Sequence, residues 1–259
     1  IRLSLVGSEM CIRDSPGARN TDARPVAFLY SLAVLLKQGG LAVPSLASAF
    51  ALPDRRVLIA LLAAAAVAVA VALAAPGRRR GAPLAALGLT GFCAMGLWLL
   101  TLYAIQSSLG SAYSAVGAAT GTLMAGLAAG GLAGGVLRGR WALAVVDASL
   151  AAVLLALAAI LSRQAPGYVY YAALLIGASL VGAEFPLAAS AASRRCAEGG
   201  LLSRGAGMAV LVDNLGGMLG ALLIGLILVP AAGLPAAALG LGGAKAITAA
   251  ALLALSSKN

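Results

Sequence analysis

The sequence predicts an all-α fold, a polytopic transmembrane helix bundle of seven or eight spans, and three observations carry that expectation. Hydrophobic residues make up 62% of the 259 and charged residues 10%. A soluble domain is roughly 45–50% apolar and about 25% charged, so this chain lacks the polar surface to coat a globule. Its apolar residues fall into runs of the length, about 20 residues, that a helix needs to cross the hydrocarbon core of a bilayer. Arginine clusters separate these runs. High hydrophobicity and low charge density also exclude a disordered chain.

Residues 1–15 stand apart. They begin at Ile1, and the run from Ser4 to Ser15 fits nothing that follows. It resembles translated sequencing-adapter read-through at the ends of metagenomic gene predictions, and such segments are set aside from fold reasoning. The competing reading is a short tail or signal peptide, but the run lacks the continuous apolar core of 7–15 residues that a signal peptide needs. Residues 16–56 read as a connector. Within it, residues 26–52 are apolar but broken by Lys37, Gly39, Gly40 and Pro44. They form either a weak eighth span or an interfacial amphipathic helix followed by a turn, and the Lys-Gln-Gly-Gly break favours the interfacial form.

The bundle itself occupies residues 57–255. Its first span, 57–75, consists entirely of Ala, Val, Leu and Ile between Arg55-Arg56 and Arg78-Arg79-Arg80. The next covers 83–105. The glycine-rich third covers 112–136 and leads to Arg138 and Arg140, and the fourth covers 141–161, followed by Arg163. The fifth, 168–192, precedes Arg194-Arg195; the sixth, 205–229, is expected to stop at Pro230; the seventh covers 234–255, before a short tail at 256–259. Alternating connections place nine basic residues on one side (Arg78, Arg79, Arg80, Arg138, Arg140, Arg194, Arg195, Arg204 and Lys258) and three on the other (Arg55, Arg56 and Arg163). The richer side is expected to be cytoplasmic, which puts the C-terminus inside.

The same charge pattern decides against nucleic acid. A net charge of +10 sits between apolar runs, as positive-inside loops do, with no basic face interleaved with aromatics. The chain has no histidine, which removes imidazole acid–base and metal chemistry. Cys11, Cys93 and Cys196 lack CxxC spacing and suggest neither a zinc site nor a disulfide framework. No phosphate-loop motif occurs. With no nucleophile–base pair and no cofactor loop, no catalytic machinery is legible, and no cofactor is expected.

Two spans carry packing signals. Gly126, Gly130 and Gly134 recur every four residues, with Gly131 and Gly135 repeating the offset, and Gly216, Gly217, Gly220 and Ala221 follow a similar pattern. Such small-residue faces let helix backbones approach closely in lipid, for fixed packing or for a sliding seam.

Four ionisable residues, Asp147, Glu184, Asp213 and Lys245, fall inside the spans. Each costs roughly 2.5–3.5 kcal/mol on insertion scales if left unpaired. Asp147, about two turns into its span, is expected to snorkel to the interface. Glu184 is deeper, next to Pro186, which removes a backbone donor and is expected to kink the helix and free carbonyls nearby. Asp213-Asn214 precedes the second glycine cluster. Lys245 is expected to pair with Asp213 or Glu184, either as a structural ion pair or with a leftover carboxylate binding a proton or an organic cation. Glu184, Asp213, Asn214, Lys245 and Asp147 are therefore the candidate binding residues. Gln106, Ser107 and Ser108 read as a polar helix end. The tyrosines and Trp141 lie near span ends as an aromatic belt would, while Trp98 is mid-helix.

Three stretches in order carry a resemblance: Thr90 to Leu100, continuing through Tyr103-Ala104-Ile105-Gln106 to Met124–Ala128; Gly182-Ala183-Glu184-Phe185-Pro186-Leu187-Ala188; and Asp213-Asn214-Leu215-Gly216-Gly217-Met218-Leu219-Gly220-Ala221. The pattern resembles the C-terminal membrane half of bacterial spermidine-synthase-like membrane proteins, the major-facilitator/spermidine-synthase fusions, over residues 26–255. The resemblance implies a bundle like half of a major facilitator in a bacterial inner membrane. It also implies an upstream aminopropyltransferase domain and an N-terminal membrane half as partners, with a polyamine-like cation as the handled species. Residues 28–38 resemble the connector that follows the synthase domain. Glu184 and Asp213 match acidic positions of that family; Trp98 stands where the family usually has a glutamate.

Overall fold

A computed structural model describes residues 82–109, 112–137, 141–163, 165–197 and 202–257. The expected span at 57–75, the segment 26–52, Cys11, the arginines at 55, 56, 78–80, 138 and 140, and Lys258 lie outside the described residues. Every described element is helical: α1 (Ala82–Leu109), α2 (Ala112–Val136), α3 (Ala142–Ser162), α4 (Gly167–Ala197), α5 (Leu202–Leu223), α6 (Val229–Ala232) and α7 (Leu234–Ser257). A π-helical turn, Ile224–Leu228, joins α5 to α6. Six helical segments among the described residues are long and apolar enough to cross a membrane: Ala82–Ser108, Ser114–Val136, Ala142–Ser162, Gly167–Ala191, Gly205–Ala232 and Leu234–Ser256. Among the described residues the chain thus forms a multi-pass membrane bundle.

These segments are helical because a bilayer offers the backbone no outside partner, so each N–H and C=O must be satisfied within the segment. Even the hydroxyl groups conform. Those of Ser108, Thr122, Ser149, Ser162 and Ser179 each donate to the carbonyl four residues earlier in their own helix, at 2.7–2.9 Å.

The sixth expected span corrects the reading of Pro230. The helix does not stop there but continues to Ala232. Proline removes one backbone donor and its ring crowds the carbonyl four residues back, here that of Leu226, which lies within the wider π turn. A π turn already breaks the i→i−4 ladder, so the ring is accommodated where the ladder is open. The stop comes at Gly233, whose φ of 81° and ψ of 166° belong to a region essentially reserved for glycine. Gly233→Ala is expected to lower stability by about 1–3 kcal/mol, measurable as an earlier thermal loss of the monodisperse peak in detergent. Pro186 also lies inside a helix, and α4 runs unbroken through it.

The helix pairings follow a pattern. The closest partners are α2 with α4, α3 with α7, and α1 with α5, and α1 also packs on α4. Exchanging α1 with α4, α2 with α5 and α3 with α7 turns the first of these pairs into the third and leaves the other two unchanged. The six long helices thus pack as two three-helix units with equivalent contacts. Because each unit has an odd number of spans, the second enters the membrane from the opposite side to the first.

Glycine seams hold the two equivalent pairs. In α2, a Cβ at Gly130 would overlap the backbone of Ser179 in α4, and one at Gly134 would overlap that of Ala183. In the other seam, a Cβ at Gly216 of α5 would overlap the carbonyl of Gly88 in α1. Gly131 and Gly135 lie off the seam. Between the seams sits the main apolar core, which includes Leu97, Leu100, Ile105, Leu150, Leu154, Leu174 and Leu241.

Candidate functional site: a buried lysine between two carboxylates

One polar cluster interrupts this core. Thr90 of α1, Asp147 of α3, Glu184 of α4 and Lys245 and Thr248 of α7 are all completely buried. Their positions follow from the helix pairings: α3 packs along α7, and α1 and α4 close the other side. Thr90 lies 8 residues from Ala82, Asp147 5 from Ala142, Glu184 7 from Ala191 and Lys245 11 from Ser256. At about 1.5 Å per residue, the cluster sits about 8–16 Å from the helix ends that adjoin the arginine-rich connections.

Lys245 is the hub. An ammonium has three N–H donors, and this one meets three side chains. It makes its closest contact with Asp147 Oδ1, donates to Thr90 Oγ1 at 2.7 Å, and reaches both Glu184 oxygens at 3.3 Å. Thr248 donates to the other Asp147 oxygen, Oδ2, at 2.8 Å. Thr90 Oγ1 is within hydrogen-bond reach of Glu184 Oε1 and of the Ala86 carbonyl at 2.8 Å. Thr248 likewise has a second acceptor, the Lys245 carbonyl at 2.9 Å. A threonine hydroxyl has one proton and rotates freely to suit its partners, so each of these two can switch between a carboxylate and a backbone carbonyl.

The arrangement corrects one expectation and decides between the two alternatives of another. Asp147 does not snorkel to the interface. Its helix face is turned onto α7, where Lys245 and Thr248 satisfy both of its oxygens, which lowers the cost of burial. Lys245 has Glu184 and Asp147 as partners and not Asp213. Asp213 lies on the far seam, with its carboxylate against Gly91 of α1. It is partly exposed on the described bundle and has no ion-pair or hydrogen-bond partner among the described residues. Asn214 is exposed, and its amide donates to the Val210 carbonyl of its own helix at 2.8 Å. Of the five candidates, three converge and two do not.

Thr90 and Thr248 were not singled out from the sequence, and only their spacing could have flagged them: Thr248 stands one turn after Lys245, on the same helix face. Cys93, one turn after Thr90, is also completely buried, as a free thiol. Trp98 packs against the core with its indole N–H buried and unpartnered among the described residues. No cluster of three or more Cys, Asp or Glu side chains able to hold a metal occurs among the described residues.

Fold and site together define a class: a multi-pass helical membrane domain with a charged centre enclosed between four of its helices. Comparison with protein-family models, curated proteins and solved structures finds no match.

Proposed function

We propose that this chain is a transport-type membrane domain in which the Lys245 centre exchanges a proton in step with the movement of a cation. The observation that carries this reading is the charge count of a closed site: two carboxylates share one ammonium, with no atom of the three side chains open to solvent. A single proton brings the centre to neutrality, and isolated charge inside a membrane is costly enough that sites of this kind commonly handle ions or protons.

Glu184 is the carboxylate suited to take the proton. Asp147 holds the closest contact to Lys245 and the Thr248 hydroxyl, whereas Glu184 stands at 3.3 Å. When ionised, Glu184 accepts from Thr90. When protonated, it donates to Thr90, whose own proton turns to the Ala86 carbonyl. Both states keep their hydrogen bonds, so the change of charge leaves no buried polar group unpaired.

The resemblance to spermidine-synthase-like membrane proteins supplies the rest of the reading. The cation is polyamine-like, the domain resembles half of a major-facilitator bundle, and it anchors an aminopropyltransferase domain in a bacterial inner membrane with the basic ends cytoplasmic. Full burial requires the helices to part before an organic cation reaches the centre.

The test is proteoliposomes with an internal pH dye, challenged with spermidine. The wild-type chain is expected to move protons on spermidine addition. Glu184→Gln should fold and lose that signal, Thr90→Val should weaken it, and Thr90→Ser should restore it. If the wild-type chain moves no protons, or if Glu184→Gln moves them as the wild type does, the proton-exchange reading fails and a purely structural anchor replaces it.

A further inference from the structure

The Lys245 centre is built unevenly. On one side Asp147 has both oxygens engaged, Oδ1 by Lys245 at the closest contact in the cluster and Oδ2 by Thr248 at 2.8 Å. On the other side Glu184 meets Lys245 only at 3.3 Å, through both of its oxygens. Thr90 Oγ1 lies beside it, 2.7 Å from the Lys245 Nζ, with the Ala86 carbonyl as a second acceptor for its proton. With both carboxylates ionised the centre is one positive charge short. A proton on Glu184 supplies that charge, and so would a second ammonium.

We infer that Glu184 and Thr90 form a subsite for a primary ammonium, which competes directly with the proton for Glu184, while Asp147 and Thr248 hold Lys245 in place. This competition deepens the proton-exchange reading and rests on it. Proton and cation use one carboxylate in turn, so each ammonium bound releases one proton.

Lys245 itself shows which cation these oxygens accept. Its Nζ is an alkylammonium with three N–H donors on a flexible carbon stem, and it already donates to Thr90 and reaches both Glu184 oxygens. An incoming primary ammonium brings the same donors to the same oxygens, and Lys245 keeps Asp147. A quaternary ammonium offers no N–H, which leaves buried acceptors unpaired at a cost.

The subsite bridges α1 and α4, and the packing there differs from that of the glycine seams. The Cβ position of Gly177 in α4 meets the side chain of Leu97 in α1, whereas the seams press backbone on backbone. Side chains can turn aside where backbone cannot, so α1 and α4 are the helices suited to part and admit the ammonium. Among the described residues, the charged and titratable groups that face Glu184 are Lys245 of α7, Asp147 of α3 and the Cys93 thiol of α1. The α2 seam presents glycines to α4, and Asp213 of α5 lies against Gly91 instead. Lys245 and Thr248 hold Asp147, which leaves Glu184 as the group whose charge changes.

The test is calorimetric titration of the full-length chain in detergent with n-propylammonium, over a series of pH values and in two buffers of different protonation enthalpy. The expected result is one proton released per ammonium bound, and an apparent Kd that falls about tenfold per pH unit while Glu184 is protonated, as reciprocal linkage requires. Tetramethylammonium should bind about tenfold more weakly or worse, for want of a charge-assisted hydrogen bond. Glu184→Gln should abolish binding and proton release, and Cys93→Ala should change neither. Lys245→Met with Asp147→Asn removes the fixed pair together, a change often neutral for stability, and should bind n-propylammonium at least as tightly as the wild type. Binding without proton release, binding independent of pH, or equal binding of tetramethylammonium overturns the competition, as does a folded paired variant that no longer binds. If proteoliposomes move protons on spermidine addition but n-propylammonium does not bind, the subsite fails and proton exchange at Lys245 stands. Proton release in the calorimeter without proton movement in proteoliposomes keeps the subsite and removes transport; if neither occurs, both fall.

Discussion

Lys245→Met is expected to be the most damaging single substitution in the described bundle. The side chains are of similar length, so little packing is lost, but the change leaves Asp147 and Glu184 buried with no cation between them. Removing one partner of a buried ion pair costs about 3–5 kcal/mol, because the remaining charge is uncompensated. Here two like charges remain, and they also repel each other. The expected result is a protein that inserts poorly or loses its monodisperse peak at a far lower temperature than the wild type.

The informative comparison is with Lys245→Met combined with Asp147→Asn and Glu184→Gln. Neutralising all three groups removes the stranded charge and leaves amides that can hydrogen-bond to Thr90 and Thr248. Replacing a whole buried ionic group is often neutral for stability, so the triple variant should recover most of what the single loses. Thermal melts of the wild type, the single and the triple in the same detergent decide the point. A triple variant as unstable as the single would mean that Lys245 acts through packing and not through charge.

The fold was legible in this sequence wherever solvent physics dictates it. A bilayer demands internally bonded helices of a fixed minimum length, so apolar runs marked out the six described spans to within a few residues, apart from the C-terminal extensions of α1, α4 and the Pro230 helix. Pro230 misled because a π turn is set by the local backbone ladder and has no residue signature strong enough to read. The identity of the charged residues was legible because so few occur in apolar runs. Their pairing was not. Asp147 and Lys245 are 98 residues apart in the chain, and only the packing of α3 on α7 brings them together. Depth along one helix made Asp147 look interfacial, but a bundle interior is defined by its neighbours as well as by distance from the membrane surface. Asp213 shows the converse: one residue of rotation separates its seam position from that of Asn214, which is exposed.

The second large effect is expected at the seams. In lipid the hydrophobic effect does not drive helices together, so close packing of small residues does much of that work, and a single methyl group at the wrong place should separate two helices. Gly130→Ala puts a Cβ into the backbone of Ser179 and Ala183, and Gly216→Ala puts one into that of Gly88. Backbone cannot swing aside as a flexible side chain can, so each should cost about 1–3 kcal/mol or more by overpacking. Gly135→Ala is the control: nothing lies within 4 Å of its Cβ position, and surface changes of that kind usually stay within about 0.5 kcal/mol. The two damaging substitutions lie in seams with no shared contact, so their effects should add, as independent sites do. If all three alanine variants melt together with the wild type, the seams are looser than their geometry implies; if Gly130→Ala and Gly216→Ala fall while Gly135→Ala holds, close backbone contact at these two glycines is what joins the paired helices.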